Sequence, residues 1–175
     1  MSILKTLRGT VVTALLVSAC SDPTVGRHEA VPAAPAATEA ADQQLVVCPT
    51  DRAHTAEGVI GTLGGALTAG GTTINIPAGA VLSATTFKLV VPASKYMEVS
   101  INGGLLSHFD FEQPVSVTID YSRCPDAALG ADPLTVFYVD DSTKTFLENM
   151  GGTDDRAGRK ITFITDHLSG YAIAN

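Results

Sequence analysis

The chain has 175 residues, which is enough for one ordinary domain with a leader or a tail. Hydrophobic residues make up 45% of it and charged residues only 17%, so the sequence is neither a disordered polyelectrolyte nor a coiled coil. The 18 acidic side chains outnumber the 11 basic ones, and the net charge of −7 excludes the basic surface that nucleic-acid binding requires. We therefore expect no DNA or RNA partner.

Residues 1–19 have the pattern of a secretory signal peptide. Lys5 and Arg8 provide a basic start, residues 11–17 are mostly apolar, and two small residues follow. The apolar run is shorter than the roughly 20 residues that a membrane-spanning helix needs. The sequence therefore predicts export followed by removal of this segment.

The end of this segment resembles a bacterial lipobox, because residues 17–20 read Val-Ser-Ala-Cys. In a lipobox the cysteine thiol is acylated with diacylglycerol and becomes the new N-terminus after cleavage. We therefore expect a lipidated Cys20 that anchors the protein in the cell envelope; a free cysteine at the end of a signal peptide is the alternative. Ser21 replaces the aspartate that would retain such a protein in the inner membrane, so we expect the outer membrane.

Residues 20–44 form the predicted tether between the lipid and a folded domain. They are rich in Ala and Pro and show no apolar periodicity that could bury a face. Without Lys5 and Arg8 the mature chain keeps nine basic and 18 acidic side chains. Attachment to a membrane must therefore come from the lipid and not from a polybasic patch.

Residues 45–175 form the predicted domain, an all-β antiparallel β-sandwich. Residues 114–121, PVSVTIDY, alternate apolar and polar side chains as a strand with one buried face does. Short runs of this kind are separated by turn residues, and no helical stripe connects them. We expect hairpin ends at 102–104 and 139–144 and a longer loop at 151–158. The other predicted strands are 45–48, 58–63, 72–76, 86–91, 97–101, 105–111, 134–139, 145–148, 160–164 and 171–174.

Several short motifs resemble the ZU-five domain, a β-sandwich module of zonula occludens proteins, netrin receptors and ankyrins. Residues 61–81 contain a Gly-Gly pair, a strand and then Ile-Pro-Ala-Gly-Ala, residues 111–115 read FEQPV, and residues 167–171 read HLSGY. The resemblance covers about residues 57–175. The last part of the chain is similar to the closing strands of bacterial exported relatives, although Phe146 stands where those often have Trp. It implies protein–protein contact or surface architecture, without a cofactor.

Two cysteines remain once Cys20 is acylated. Export places Cys48 and Cys124 in an oxidising compartment, where thiols of a small domain pair. We expect a disulfide between them, which would fasten the start of the domain to its middle. Two separate buried thiols are the alternative.

The sequence contains no recognisable metal site or enzyme motif. His54, His108 and His167 are far apart and form no His-x-x-x-His pair, and neither a Gly-x-Ser-x-Gly elbow nor a Walker loop occurs. Asp140-Asp141 and Asp154-Asp155 could offer carboxylates to calcium, but we interpret them as solvated turn residues. We therefore expect no enzyme, no metal and no cofactor.

The function that we predict is a lipid-anchored envelope module that binds an envelope protein or has an architectural role. The first alternative is autoproteolysis between Leu168 and Ser169, because residues 167–169 resemble the His-Phe-Ser site at which some ZU-five-bearing proteins cleave themselves. In that chemistry Ser169 is the nucleophile and His167 the base, although Leu168 replaces the Phe of that site. The structural interpretation is that these residues only lead into the last strand.

A second alternative is a weak carbohydrate-binding module. Exported sandwiches often bind sugars through aromatic platforms, but this chain has no Trp. Tyr121, Tyr138 and Tyr171 fall on strand positions that we assign to the core. Tyr96 is the tyrosine that we expect to be free to stack on a ligand.

Overall fold

The computed structural model describes residues 43–104 and 109–175. The predicted signal peptide, Cys20 and nearly all of the predicted tether lie outside the described residues, as do His108 and most of the predicted strand 105–111. Within the described residues, no helix has the length and apolar character needed to cross a membrane.

The described residues form two antiparallel sheets, which confirms the predicted all-β sandwich. One sheet has six strands in the order β1-β4-β5-β11-β7-β8, and the other has five in the order β2-β3-β6-β10-β9. A short 3-10 turn, Asp126–Ala128, follows β6. The strands are β1 His54–Ile60, β2 Gly65–Ala69, β3 Thr72–Ile76, β4 Thr85–Val91, β5 Glu98–Gly103, β6 Asp110–Asp120, β7 Thr135–Val139, β8 Phe146–Gly151, β9 Thr153–Asp155, β10 Lys160–His167 and β11 Gly170–Ala174.

The core lies between the two sheets, and β6 shows why these residues form strands. Val115, Val117 and Ile119 are buried, whereas Ser116 and Thr118 between them are partly exposed. Alternate β-branched side chains on the pleated backbone fill the space between the sheets and leave polar neighbours outside. The predicted alternation in this segment is confirmed.

The last strand, β11, lies in the middle of the larger sheet and is buried on both faces, because side chains also pack against its outer face. Tyr171 and Ile173 face the core, as the sequence predicts. Ala172 and Ala174 are also buried and form a second cluster with Phe137 and neighbouring side chains on the outer face. The C-terminal strand is therefore a central structural element.

Three predictions about local structure were wrong. Residues 102–104 do not close a hairpin, because β5 and β6 belong to different sheets. The predicted loop 151–158 contains β9, which pairs with β10. Residues 45–48 form isolated bridges, Leu45 with Ala174 and Val47 with Tyr96, and not a strand. By contrast, residues 139–144 do join the antiparallel pair β7 and β8.

Candidate functional site: a fastened pole and an exposed pole

The sandwich has two ends that differ in chemistry. We call the end where β11 finishes at Ala174 the fastened pole, because the chain enters the domain there at Leu45. Neighbouring strands alternate in direction, so β1 ends at the opposite end, where Ile60 pairs with Thr85. We call that opposite end the exposed pole.

At the fastened pole, the incoming chain is bonded to the last strand. Gln44 N donates to Asn175 O at 3.1 Å, and Asn175 N donates back to Gln44 O at 3.0 Å. Val46 N donates to Ile173 O at 2.9 Å, and Val46 is itself buried. The first described residues are therefore part of the fold.

A disulfide reinforces this attachment. Cys48 and Cys124 are bonded in the structure, as the sequence predicts, and both are buried. Beside them the Arg123 guanidinium donates to the carbonyl oxygens of Pro49 and Tyr96, each at 2.8 Å. Charge-assisted bonds of this kind hold loop carbonyls that no strand partner satisfies.

Tyr96 is held between these groups. Its ring is half-buried, and the Lys95 ammonium lies 5.0 Å from the ring centroid. Its backbone is tied to Val47 and to Arg123. The side chain that we expected to be free to stack on a ligand is therefore already in contact with a cation.

A second network at the fastened pole is centred on Asp154. Its carboxylate is 3% exposed and accepts from Tyr121 OH at 2.5 Å, Leu134 N at 2.9 Å and Arg156 Nε at 2.6 Å. Burial, followed by the bond to Asp154, raises the pKa of Tyr121 far above its usual value. The interpretation of Asp154 as a solvated turn residue was wrong, because its long-range partners stabilise a buried carboxylate.

The other acidic pair does lie in a turn. Asp140 Oδ1 accepts from Ser142 N at 2.9 Å and from Thr143 N at 2.7 Å, and also from both hydroxyls. These bonds, that of the Ser142 hydroxyl first, lower the pKa of Asp140. Within residues 43–104 and 109–175, no three His, Cys, Asp or Glu side chains are arranged to hold a metal ion.

A polar cleft of about 350 Å³ also opens at the fastened pole. His54 lines it, and its Nε2 lies 3.3 Å from Asp51 Oδ2. The Arg52 amide, and then His54, lower the pKa of Asp51. Asp120 lies on the opposite side and contacts Gly71. No local pattern predicts this grouping, because β1, the β2–β3 turn and β6 meet only in the fold.

The predicted cleavage site lies at the exposed pole, between β10 and β11. His167 Nδ1 lies 3.1 Å from Asp166 Oδ1, and Leu168 is buried with its amide bonded to Phe109 O at 2.9 Å. Ser169 O accepts from Ile101 N at 3.0 Å. None of residues 167–169 has a positive φ. The described backbone here is that of a bonded strand connection.

Two loops fit together at the exposed pole through glycines of the motifs noted in the sequence. Gly64 has φ +74°, and a Cβ there would overlap Ile76 O and lie 2.7 Å from the Pro77 carbonyl carbon. Gly79 N donates to Thr62 O at 2.8 Å. The Gly-Gly pair and the Ile-Pro-Ala-Gly-Ala segment are therefore two halves of one structural unit.

This unit displays apolar side chains. Leu63 is 90% exposed in the β1–β2 turn, and Leu82 is 75% exposed in the loop after β3. The loop is also bonded to β6, because Glu112 N donates to Ala80 O at 3.1 Å. We call residues 61–64, 77–84 and 109–112 the exposed platform. The sequence motifs predicted the glycines but not the exposure of the leucines.

The two poles differ in charge. Residues 43–175 carry eight basic and 14 acidic side chains. At the fastened pole six basic side chains accompany six acidic ones. At the exposed pole six acidic side chains accompany two basic ones, Lys88 and Lys144. The acidic side chains of the exposed pole are Glu57, Asp110, Glu112, Asp140, Asp141 and Asp166.

Fold and site together define an antiparallel β-sandwich that is fastened at one pole and exposed at the other. No protein-family model matches the chain, and a search of curated proteins finds no match either.

Proposed function

We propose that the protein is a lipid-anchored component of the cell envelope whose β-sandwich binds another protein or has an architectural role, without catalysis. One observation carries the proposal: the incoming chain is fastened at one pole, and exposed leucines lie at the other. A domain held at one end presents the opposite end to partners. The disulfide between Cys48 and Cys124 transmits any pull on the tether to the core.

The anchor itself is proposed from the sequence. Residues 17–20 resemble a lipobox, so Cys20 would carry the lipid and residues 21–42 would be the spacer. A spacer of this composition reaches about 25 Å as a coil and about 75 Å when extended. The exposed pole, with its excess of acidic side chains, would be repelled by anionic headgroups and would point away from the membrane.

The resemblance to ZU-five domains supports the binding role. Some of the residues that carry it, the Gly-Gly pair and the Ile-Pro-Ala-Gly-Ala segment among them, meet at the exposed platform, where Gly64 lies close to the segment after β3. Because the resemblance implies protein–protein contact, we assign that role to the exposed platform. We propose membership of that family on these motifs alone.

Metabolic labelling with palmitate tests the anchor. We expect label in the wild type and in Ser18→Ala, which keeps a small residue before the cleavage point, and none in Cys20→Ala. The wild type should also sediment with outer-membrane fractions. Equal label in wild type and Cys20→Ala, or a wild type found wholly in the soluble fraction, would contradict the proposal.

A further inference from the structure

We propose that the exposed platform is the docking surface for a polypeptide segment that alternates basic and apolar residues. The inference deepens the binding role proposed above and rests on it. It names the chemistry of the partner and the residues that would bind it, neither of which the sequence motifs indicate.

The loops of the platform are held by their own hydrogen bonds. The turn at 61–64 is closed by Gly64 N donating to Gly61 O at 2.9 Å, and Gly79 N ties the second loop to Thr62. Ala80 N donates to Pro77 O at 3.2 Å, so the second loop has its own turn. Binding to a surface that is already ordered loses little conformational entropy, which favours affinity.

The apolar part of the platform consists of Leu63 and Leu82. A single exposed leucine is ordinary on a protein surface. Here two leucines, among the most exposed large hydrophobic side chains of the described residues, lie on loops that are bonded to each other. Such side chains gain free energy when a partner covers them.

The acidic part adjoins Leu82. A cleft of about 190 Å³ is lined by Leu82 and Phe109 on its apolar side and by Asp110 and Glu112 on its acidic side. A lysine or arginine side chain fits this combination, because its stem lies along apolar surface while its charged end meets a carboxylate. Glu112 is exposed and available for such a contact.

Charge selects among the occupants of this surface. Lys144 is bonded to Glu98, and Glu112 forms no ion pair with another described residue. Like charge disfavours a second copy of this pole and an anionic membrane. A basic and apolar segment of a partner is the occupant that satisfies both the leucines and the carboxylates.

Fluorescence anisotropy with the purified full-length chain tests the inference. The probes are labelled hexapeptides of sequence Ala-Leu-Arg-Leu-Arg-Ala, Ala-Leu-Glu-Leu-Glu-Ala and Ala-Ser-Arg-Ser-Arg-Ala. We expect the first to bind most tightly, Glu112→Gln to weaken it about fivefold, and Leu82→Ser to weaken it about tenfold. The matched controls Leu147→Ser and Glu148→Gln, on the exposed edge strand β8, should bind as the wild type does.

Three results would overturn the inference: equal binding of the acidic peptide, equal losses in the β8 controls, or self-association or binding to anionic vesicles that Leu82→Ser abolishes. Palmitate labelling of Leu82→Ser separates this inference from the anchor. A variant that keeps its label but loses the peptide supports the platform, whereas unlabelled wild type that binds the peptide contradicts the anchor alone.

Discussion

The Lys144 ammonium donates to the carboxylate of Glu98, although the two residues belong to elements separated by a strand of the sheet. Glu98 begins β5 and pairs with Ala172 of β11, and Lys144 lies in the turn after β7. Glu98 is 7% exposed. The lysine therefore neutralises a buried carboxylate and draws the β7–β8 turn over the last strand.

Replacing Lys144 by Met should lower the free energy of unfolding by about 2 kcal/mol, because the buried carboxylate of Glu98 loses its partner. Urea unfolding measures this loss. Lys88→Met, at an exposed position of β4, is the control and should change stability little. Adding Glu98→Gln to Lys144→Met should restore part of the loss; equal losses for the two lysines would contradict this assignment.

The Gly64 position should be more sensitive than an open glycine with the same backbone conformation. Gly64 and Gly151 have φ of +74° and +67°, but only Gly64 is closely approached by neighbouring backbone. Gly151→Ala should cost about 1 kcal/mol from the left-handed backbone alone. Gly64→Ala should cost about 2 kcal/mol more, because Ile76 and Pro77 must move. Equal midpoints in thermal unfolding would show that this contact is unimportant.

The strands that could be predicted are those whose side chains alternate strongly. β6 was recognised from PVSVTIDY, and β3 matches its predicted bounds. β2 was missed because Gly65–Ala69 has small side chains and its polar residues do not mark one face. β9 was missed because Thr153–Asp155 is acidic, and burial of Asp154 depends on Arg156 and on Tyr121, more than 30 residues away.

The disulfide could be predicted from the sequence, because the prediction depends only on how many cysteines remain. Two cysteines that remain in a chain predicted to be exported indicate a pair, and Cys48 and Cys124 are joined. The role of Arg123 could not be predicted, because the carbonyl groups that it holds belong to loops 27 to 74 residues away. The exposure of Leu63 likewise depends on how two loops meet, which no local pattern reports.

The hydroxyl of Tyr121 should make the fold sensitive to alkali. Its pKa is raised in the folded state by burial and by Asp154, whereas an unfolded tyrosine ionises near about pH 10. The stabilisation is therefore fully present below about pH 10 and is lost as the pH rises further. Burial raises the pKa of Tyr171 as well, so it adds to the same alkaline loss.

Tyr121→Phe should lower stability at pH 7 by about 1 kcal/mol, because a hydrogen bond to a buried carboxylate is lost. It should also reduce the loss of stability between pH 9 and about pH 12, and adding Tyr171→Phe should reduce it further. Urea midpoints measured across this range check both statements. An alkaline loss unchanged in Tyr121→Phe would refute the assignment.

The disulfide should contribute strongly to stability. Its cysteines are 76 residues apart, and closing a loop of that size stabilises the fold by about 4 kcal/mol on the chain-entropy account. Cys48→Ser with Cys124→Ser should lower the urea midpoint accordingly. Thiol titration of denatured protein prepared from the envelope should find neither cysteine free, and two free thiols would refute the pairing in the cell.

The connection between β10 and β11 bears on whether the chain cleaves itself. An ester shift at Leu168–Ser169 needs a strained peptide and access for water. Leu168 is buried, and His167 O accepts from Tyr171 OH at 2.6 Å. The segment is hydrogen-bonded and none of residues 167–169 has a positive φ, so the geometry favours the structural interpretation of the motif.

We therefore expect an intact chain. Cleavage would release residues 169–175, which include the central strand β11, and its backbone bonds to β5 and β7 would keep the fragment in place under native conditions. The mass must therefore be measured under denaturing conditions, with Ser169→Ala as the control. A wild type that lacks these seven residues, while Ser169→Ala keeps them, would establish Ser169 as a nucleophile. Equal masses that include residues 169–175 are the expected result, because Leu168 is buried and the backbone of residues 167–169 shows no positive φ that would indicate strain at the carbonyl.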